Sequence, residues 1–534
     1  MSTALPLSAS EPRPASVALS RLAPHIIVIG AGVGGLAVAV RLLSQGYRVT
    51  VLERAATPGG KMRQVRVGGH VFDGGPSVMT MPAVLQRLCA AASVRQEDLI
   101  PLEPLEPLCR HFFPDGSQLD LFNDELLAPG ARHEAAWMRS ADEIRRVIGP
   151  RAAEQYHRFR RHAARIYASV ERPFMASALP RNPLAMMWMH PPRYMLGMFR
   201  IDARRTLWRA LEAFFEDERL RVLLARYATY SGADPFLAPA TLSVIPHVEF
   251  AFGVYAVKGG MYRVAEALTE LIVRQGGQLR CAADVERVEL DGPEQRVVAV
   301  HVAGERLAAD AVVANCDVGH LYGSLLSGTR LGARWSQKIQ KLPPSLSAQL
   351  NLVVAEAAAA LPLCHHNVFF TQDYAREFRE LTAGPPSDPT IYLCNPDYGQ
   401  AQQRWFFLTN APPLPGASTD PAVQHNSRWS NEQQAQCRER VAQKLARHGI
   451  DFAKHARAEQ TVTPRDLAAL FPATQGAIYG AAASSRLAAF KRPPNQVPGV
   501  ANLYCVGGST HPGAGVPMVM LSAEIVAKLI GPAR

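Results

Sequence analysis

The stretch from His25 to Lys61, HIIVIGAGVGGLAVAVRLLSQGYRVTVLERAATPGGK, limits the possible folds more than any other part of the chain. Ile26 to Ile29 form the short apolar run that a buried parallel strand requires. Gly30, Gly32 and Gly35 then give a G-x-G-x-x-G turn into a helix that ends near Gly46, and Val49 to Leu52 form a second strand. Glu53 stands at the tip of that strand, roughly 20 residues past the glycines, where a carboxylate accepts hydrogen bonds from a ribose. Glycine-rich turns also occur without ligands. Strand, turn, helix, second strand and carboxylate in this order, however, specify a dinucleotide-binding βαβ unit and hence a flavin- or nicotinamide-dependent redox enzyme.

The residues just after Glu53 favour FAD. Thr57-Pro58-Gly59-Gly60-Lys61 sets a glycine doublet and a cation just beyond the ribose carboxylate, which suits a loop around a long, permanently held dinucleotide. Arg54 raises the alternative of NADP, but Glu53 beside it would repel a 2′-phosphate.

A chain of 534 residues with 48% hydrophobic content can bury more than one core, so two or three domains are expected. The eight cysteines form no C-x-x-C pair, which argues for reduced thiols in a cytoplasmic setting. Cys364-His365-His366 is a compact Cys/His cluster, but adjacent residues rarely chelate one tetrahedral ion, and no metal is expected. Residues 2 to 24 lack the continuous apolar core of a secretory signal and read as a flexible extension, and no transmembrane helix is expected.

The net charge of +11 is concentrated in one informative place. Between Arg181 and Leu211 six arginines face a single acid, Asp202, and alternate with Met, Trp, Tyr and Phe. Such a mixture suits either a helical lid on the core or insertion at a lipid headgroup boundary. Basic residues elsewhere are dispersed and no nucleic-acid-binding motif is present, so nucleic acid is not an expected partner.

Along the rest of the chain, Phe72-Asp73-Gly74-Gly75-Pro76-Ser77 is a turn cluster, and Asp142 to Tyr230 reads mostly helical with proline breaks. Val285 to Val288 and Val297 to Val302 read as strands, and Ala309 to Asn315 as a buried strand returning to the first sheet. Leu350 to Val354, Asn367 to Thr371 and Phe406 to Thr409 are the strand-like pieces of a separate substrate sheet. At the C-terminus, Leu503 to Val506 is a strand, Gly507 to Gly515 a loop, and Val516-Pro517-Met518 opens a helix. That helix start can direct amide N–H groups at the pyrimidine end of a flavin, whose reduced form is negative near N1.

The N-terminal unit, FDGGPSVMTMP, ADAVVANCDV and the terminal YCVGGSTHPGAGVPMVMLSAEIVA together resemble the bacterial phytoene-desaturase family of carotenoid oxidoreductases over most of the chain. Within it, FDGGPSVMTMP, RHFFPDGSQLDL (Arg110 to Leu121) and GGSTHPG are most similar to the group of 1-hydroxycarotenoid 3,4-desaturases. The resemblance implies an α/β fold, α+β overall. It would contain a Rossmann-like, discontinuous FAD-binding domain of the amine oxidase/phytoene desaturase type, a second-sheet substrate domain and a helical membrane-facing portion. The implied boundaries are an extension at 1–24, FAD-binding parts at 25–125, 251–325 and 491–534, a helical cap at 126–250 and a substrate domain at 326–490.

By the same resemblance Gly30, Gly32, Gly34, Gly35, Glu53, Arg54, Gly59, Gly60 and Lys61 hold the ADP end of FAD, and Val285 contacts adenine. Gly75, Pro76 and Ser77, with Gly507, Gly508, Val516, Pro517 and Met518, surround the isoalloxazine. The implied reaction is desaturation of an acyclic carotenoid, with hydride passing to flavin N5 and a proton leaving the adjacent carbon. Delocalisation of the developing cation along the polyene lowers the need for a strong base. His511 is the candidate for proton handling or hydroxyl recognition, with bracing of its loop as the plain alternative, and Asp73 reads as a local cap. The stretch Gly508-Ser509-Thr510-His511 places polar groups where a hydroxylated end group would be met. A peripheral position on the cytoplasmic side of the inner membrane, with oxygen or a quinone as electron acceptor, completes the expectation. Phytoene or neurosporene desaturation, carotenoid isomerisation, an amine-oxidase-type reaction and a non-enzymatic flavoprotein or carotenoid-binding module are the alternatives.

Overall fold

The computed structural model describes residues 23–123, 133–179, 197, 201–292, 295–356, 361–415, 430–485 and 488–533. β1 (His25–Ile29), α1 (Val33–Ser44) and β2 (Arg48–Leu52) form the opening unit. β1 lies inside a five-stranded parallel sheet whose order is Leu503–Cys505, Ala311–Ala314, β1, β2, Gln278–Arg280. Three segments distant in sequence therefore make one sheet, in register from Ile26 opposite Ala311 to Val313 opposite Tyr504.

Both faces of this sheet are covered, which explains why its strands are apolar without alternation. Ile26, Val28, Val49, Val51 and Val313 pack under α1 and the helices Arg263–Arg274 and Val516–Ile530. Ile27, Ile29, Leu52, Val312 and Ala314 face the other way, onto a three-stranded antiparallel sheet of Val285–Leu290, Val297–Val302 and Glu305–Ala308.

The second large sheet has seven strands in the order Ala456–Val462, Ser347–Glu356, Gln402–Ala411, Ile391–Cys394, His366–Phe369, Cys109–Phe112, Gln118–Leu121. Its centre is the ten-residue antiparallel pairing of Ser347–Glu356 with Gln402–Ala411, Leu350 opposite Leu408. The sequence-based boundary at residue 125 is corrected here. Cys109–Phe112 pairs in parallel with His366–Phe369, Asn367 opposite Arg110, so this hairpin belongs to the seven-stranded sheet and not with the parallel sheet of the dinucleotide unit. A parallel partner is reached only through a long crossover and leaves no local mark in the sequence.

Helices His133–Val147, Pro150–Val170, Leu207–Phe214, Glu218–Ala225 and Val244–Phe252 cover the junction of the two sheets around a core that includes Tyr156, Phe159, Phe215 and Phe250. Most of the basic, Met-rich stretch proposed to meet a membrane lies outside the described residues, as does the N-terminal extension up to residue 22. At the described end of that stretch, Arg205 pairs with Asp202 at 2.7 Å and Arg209 with Glu212 at 3.2 Å. Among the described residues no helix is long and apolar enough to cross a membrane.

Candidate active site

A single cavity of about 1200 Å³ runs from the glycine turn at Gly30, past Glu53, to the face of the seven-stranded sheet. This exceeds the roughly 300–1,000 Å³ of ordinary small-ligand pockets. At its first end the wall is largely backbone. Gly35 sits so close to the strand end that a Cβ there would come within 2.1 Å of the Gly30 carbonyl oxygen. α1 begins at Gly32 with no side-chain cap, so its first amides remain available to an anion. Gly59 bridges to Gly32, which brings the second glycine loop against the first. The buried Glu53 carboxylate accepts from the Ala31 amide at 2.7 Å and the Ala55 amide at 2.9 Å, which fixes it at the tip of β2 with lone pairs left over. Val285 lines the cavity on the same side as Ala283, whose amide donates to the Glu53 carbonyl.

Three members of the sequence-derived set have other local roles. Gly34 lines the cavity, but a Cβ on it would press on the Asn315 amide nitrogen at 2.8 Å and on Gly507, so it is a packing glycine. Arg54 donates to the carbonyls of Ala469 and Leu470, both at 3.3 Å. The Lys61 ammonium donates to the carbonyls of Ile478 at 2.5 Å and Ala477 at 3.4 Å, and burial lowers its pKa. Both cations therefore tie the dinucleotide loop to the segment 469–478.

At the other end of the cradle the helix Val516–Ile530 starts at Gly515, again with no side-chain cap and with Pro517 in its first turn. Gly75 passes so close to the Lys61 carbonyl oxygen that a Cβ would lie 1.8 Å from it. Gly75, Pro76, Ser77, Gly507, Gly508, Val516, Pro517 and Met518 all line the cavity. Two uncapped helix N-termini, a ribose-type carboxylate and backbone too tight for any Cβ fit a flavin dinucleotide.

The structure corrects the candidate role of His511. Its ring is fully buried behind the cavity wall, Nε2 donates to the Ser177 carbonyl at 2.9 Å, and Phe174 meets it edge-on at 4.8 Å. Burial pushes its pKa down to about 4, so it is a neutral brace for the loop. Its neighbours are occupied as well, since the Ser509 hydroxyl accepts from the Val318 amide and Thr510 donates to the Pro493 carbonyl. Polar groups expected to meet a hydroxylated end group are thus engaged in tying the loop to Val318, Pro493 and Ser177. Asp73 accepts from the amides of Met261 and Tyr262 at 2.8 and 3.0 Å, just before the helix Arg263–Arg274, and acts as its cap.

Sequence reading missed the residues that hold the two glycine loops together. Asn315 follows the apolar strand Ala311–Ala314, donates to the Val506 carbonyl at 3.0 Å and packs against Gly32, Gly34 and Gly507. Buried Arg492 donates to the carbonyls of Gly508 at 2.8 Å and Ala481 at 3.1 Å. A polar residue ending an all-apolar strand was the available signal for Asn315. Nothing marked Arg492 among many arginines.

Beyond the flavin loops the cavity is walled by Leu350, Val368, Phe406 and Leu408 of the broad sheet and by Ile245 and Val248 of the helical cover. Polar groups interrupt this wall, among them Ser347, Asn410 and a linked set around Tyr392. Ser77 Oγ is 2.8 Å from the Tyr392 hydroxyl, which is 2.8 Å from His366 Nδ1, while Arg226 donates to the Tyr230 hydroxyl at 3.1 Å. The Cys/His cluster also differs from its sequence form. His365, His366 and Cys394 bring ligand-type atoms within 4.8 Å of one another, whereas the Cys364 thiol turns to the His366 carbonyl.

Comparison with known proteins agrees with this construction. The family model described as flavin containing amine oxidoreductase matches residues 33–531. The chain is 36% identical over 525 residues to the hydroxyneurosporene desaturase of Rubrivivax gelatinosus, covering 95% of this chain and 93% of that one. It is 37% identical over 522 residues to the protein of the same name from Cereibacter sphaeroides, covering 96% and 98%. Among solved structures, cyclohexylamine oxidase from Brevibacterium oxydans IH-35A superposes with a TM-score of 0.56 at 14% identity, over 95% of this chain and 98% of that one, which is a likeness of fold.

Proposed function

The chain belongs to the flavin-containing amine oxidoreductase family, and from that premise we propose that it is an FAD-dependent carotenoid desaturase acting at C-3,4 of acyclic 1-hydroxy- or 1-methoxycarotenoids. The observation that carries this reading is the single cavity that joins the dinucleotide cradle to a long, mainly apolar wall. An amine substrate would call for a compact polar site, whereas a polyene needs length and dryness.

In this reading the ADP end rests on Gly30 to Gly35, Gly59-Gly60 and Glu53, with adenine near Val285. Gly75–Ser77 and Gly507–Met518 would hold the ring system. Bound FAD supplies a two-electron acceptor that takes hydride from an allylic CH2 while a proton leaves the neighbouring carbon. The chain's own part is largely positional. Leu350, Val368, Phe406 and Leu408 hold the polyene flat against the cofactor and exclude water. The N-terminus of the helix Val516–Ile530 favours the negative charge of the reduced ring. No strong base is required, because the neighbouring C–H of a cation spread over a polyene is itself acidic.

A substrate dissolved in lipid calls for peripheral contact with the membrane, on the cytoplasmic side, and for oxygen or a membrane quinone to take the electrons onward. The test is an anaerobic absorption spectrum of flavin-loaded protein mixed with an acyclic 1-hydroxycarotenoid in liposomes. Flavin bleaching together with a red-shifted polyene is the expected result. Unchanged flavin and polyene bands would overturn the reading, and a shifted polyene with no net flavin reduction would point to isomerisation.

A further inference from the structure

We propose that Ser77, Tyr392 and His366, with Tyr230 and Arg226 beside them, form a subsite that binds the oxygen of the substrate's end group. The inference rests on the desaturase reading above and deepens it. An oxygen on C-1 is only three bonds from C-3, so any group that recognises it must stand close to the reacting carbons. The loop Gly507 to Gly515 does not provide that group, since Ser509, Thr510 and His511 are all engaged in holding the loop. Ser77, two residues beyond the tight passage at Gly75, does lie on the cavity surface, and so do Tyr392, Tyr230 and Arg226.

The hydrogen bonding of these residues is incomplete in the way a binding subsite requires. Ser77 Oγ, Tyr392 OH and His366 Nδ1 form a chain of two 2.8 Å contacts. When His366 Nδ1 donates to the phenol oxygen and the phenol donates to Ser77, the serine hydroxyl is free to donate into the cavity. The reversed chain leaves Ser77 Oγ as an acceptor. The same three residues thus serve a hydroxyl, which donates and accepts, and an ether oxygen, which only accepts.

His366 is 2% exposed and Arg226 4% exposed, yet His366 Nε2 and Arg226 Nε and Nη2 have no hydrogen-bond partner among the described residues. Buried polar atoms in that condition typically cost about 1–3 kcal/mol each, and the buried Glu249 near Arg226 offsets its charge without occupying these nitrogens. A purely packing role would be filled better by Phe at 392 and Ala at 77. Burial holds the Tyr392 phenol far above its ordinary pKa, so it remains a neutral donor and acceptor at all working pH values.

The experiment compares kcat/KM for 1-hydroxyneurosporene and for neurosporene, which lacks the oxygen, in the flavin-loaded wild type and in Tyr392→Phe and Ser77→Ala. The wild type is expected to prefer the hydroxylated carotenoid at least tenfold. Each variant should reduce that preference ratio tenfold or more, because a site built to bond a hydroxyl discriminates through the groups left unpaired. Flavin content and melting temperature of each variant separate this effect from misfolding. If Tyr392→Phe does not fold, the Ser77→Ala ratio decides alone. Equal wild-type rates on both carotenoids, or variants that slow both in proportion, would overturn the subsite while leaving the desaturase reading intact. No turnover of any carotenoid by the wild type would overturn both.

Discussion

The two ends of the cavity are built by opposite strategies. At the end assigned to ADP, the surface consists of main-chain amides, places where no Cβ fits and the Glu53 carboxylate, all within residues 30 to 60. At the other end the cavity is lined by side chains drawn from residues 77, 226, 245, 350, 368, 392 and 408, to which the proposed reading assigns the polyene. A pyrophosphate is the same in every dinucleotide enzyme, so a fixed backbone cradle suffices. An end group and a polyene length vary between substrates, and only side chains can follow them. The first end is accordingly intolerant of change in shape, and the second, on the proposed reading, is where specificity would be set.

That contrast can be broken most forcefully at Gly35. Gly35→Val places a Cβ 2.1 Å from the Gly30 oxygen and adds two methyl groups, and should destabilise the fold by about 4 kcal/mol or more. Purified protein without bound flavin and a steep drop in melting temperature are the expected readouts. Retention of flavin would show that the cradle yields more than its geometry suggests.

Acid should act on the other region first. Burial pushes His111, on the seven-stranded sheet, down to about 3 and His247, in the helical cover, and His365, just before the strand His366–Phe369, down to about 4, against His511 alone at about 4 in the flavin loop. A histidine whose folded pKa lies below its unfolded value binds fewer protons when folded. The stability each of these histidines contributes is therefore full above about pH 6.5 and falls as pH drops towards 4, partly offset by buried Glu377, held up at about 7, whose carboxyl is relieved as it protonates. For a fully buried residue such as His111 the loss at pH 5 is roughly 2 kcal/mol. Hydrogen exchange at pH 7.5 and 5.0 should show the broad sheet opening before the parallel sheet, and simultaneous opening would erase the distinction.

Smaller changes sharpen it further. Glu53→Gln retains the size of the side chain but turns an NH2 group towards one of the two amides it now accepts, and should weaken FAD binding about tenfold by flavin titration. Asn315→Ala removes the link between the glycine turn and the Val506 carbonyl, and should cost about 1 kcal/mol by denaturant unfolding with kcat little altered.

The same division governs what could be read from the chain before its structure. The βαβ unit, the returning strand at Ala311–Ala314 and the terminal strand, loop and helix were legible because their signals are contiguous: an apolar run, a glycine spacing, a proline in a first helical turn. Strands at Leu350, Asn367 and Phe406 were visible as apolar texture. Their partner Cys109–Phe112 was assigned to the wrong sheet, because the pairing of Arg110 with Asn367 spans more of the chain than any local pattern does. His511 looked functional because it stands in a glycine-rich loop beside the cofactor. The direction of its ring, towards the Ser177 carbonyl, is a tertiary fact. Tyr392 was overlooked on a four-residue strand, and it gains meaning only from Ser77 and His366 across the junction.

The strand order of the parallel sheet also has a consequence for biosynthesis. β1 is bonded to Ala311–Ala314, which in turn waits for Leu503–Cys505, while α1 packs against the helix Val516–Ile530. At ordinary elongation rates the ribosome takes on the order of a minute to pass from the first of these segments to the last. Through that interval the glycine turn exists without the loop that faces it, and the apolar underside of α1 lacks part of its cover. Flavin capture is therefore a late event in the life of the nascent chain, and a fusion or tag placed beyond residue 530 bears on cofactor loading more directly than one placed before residue 25.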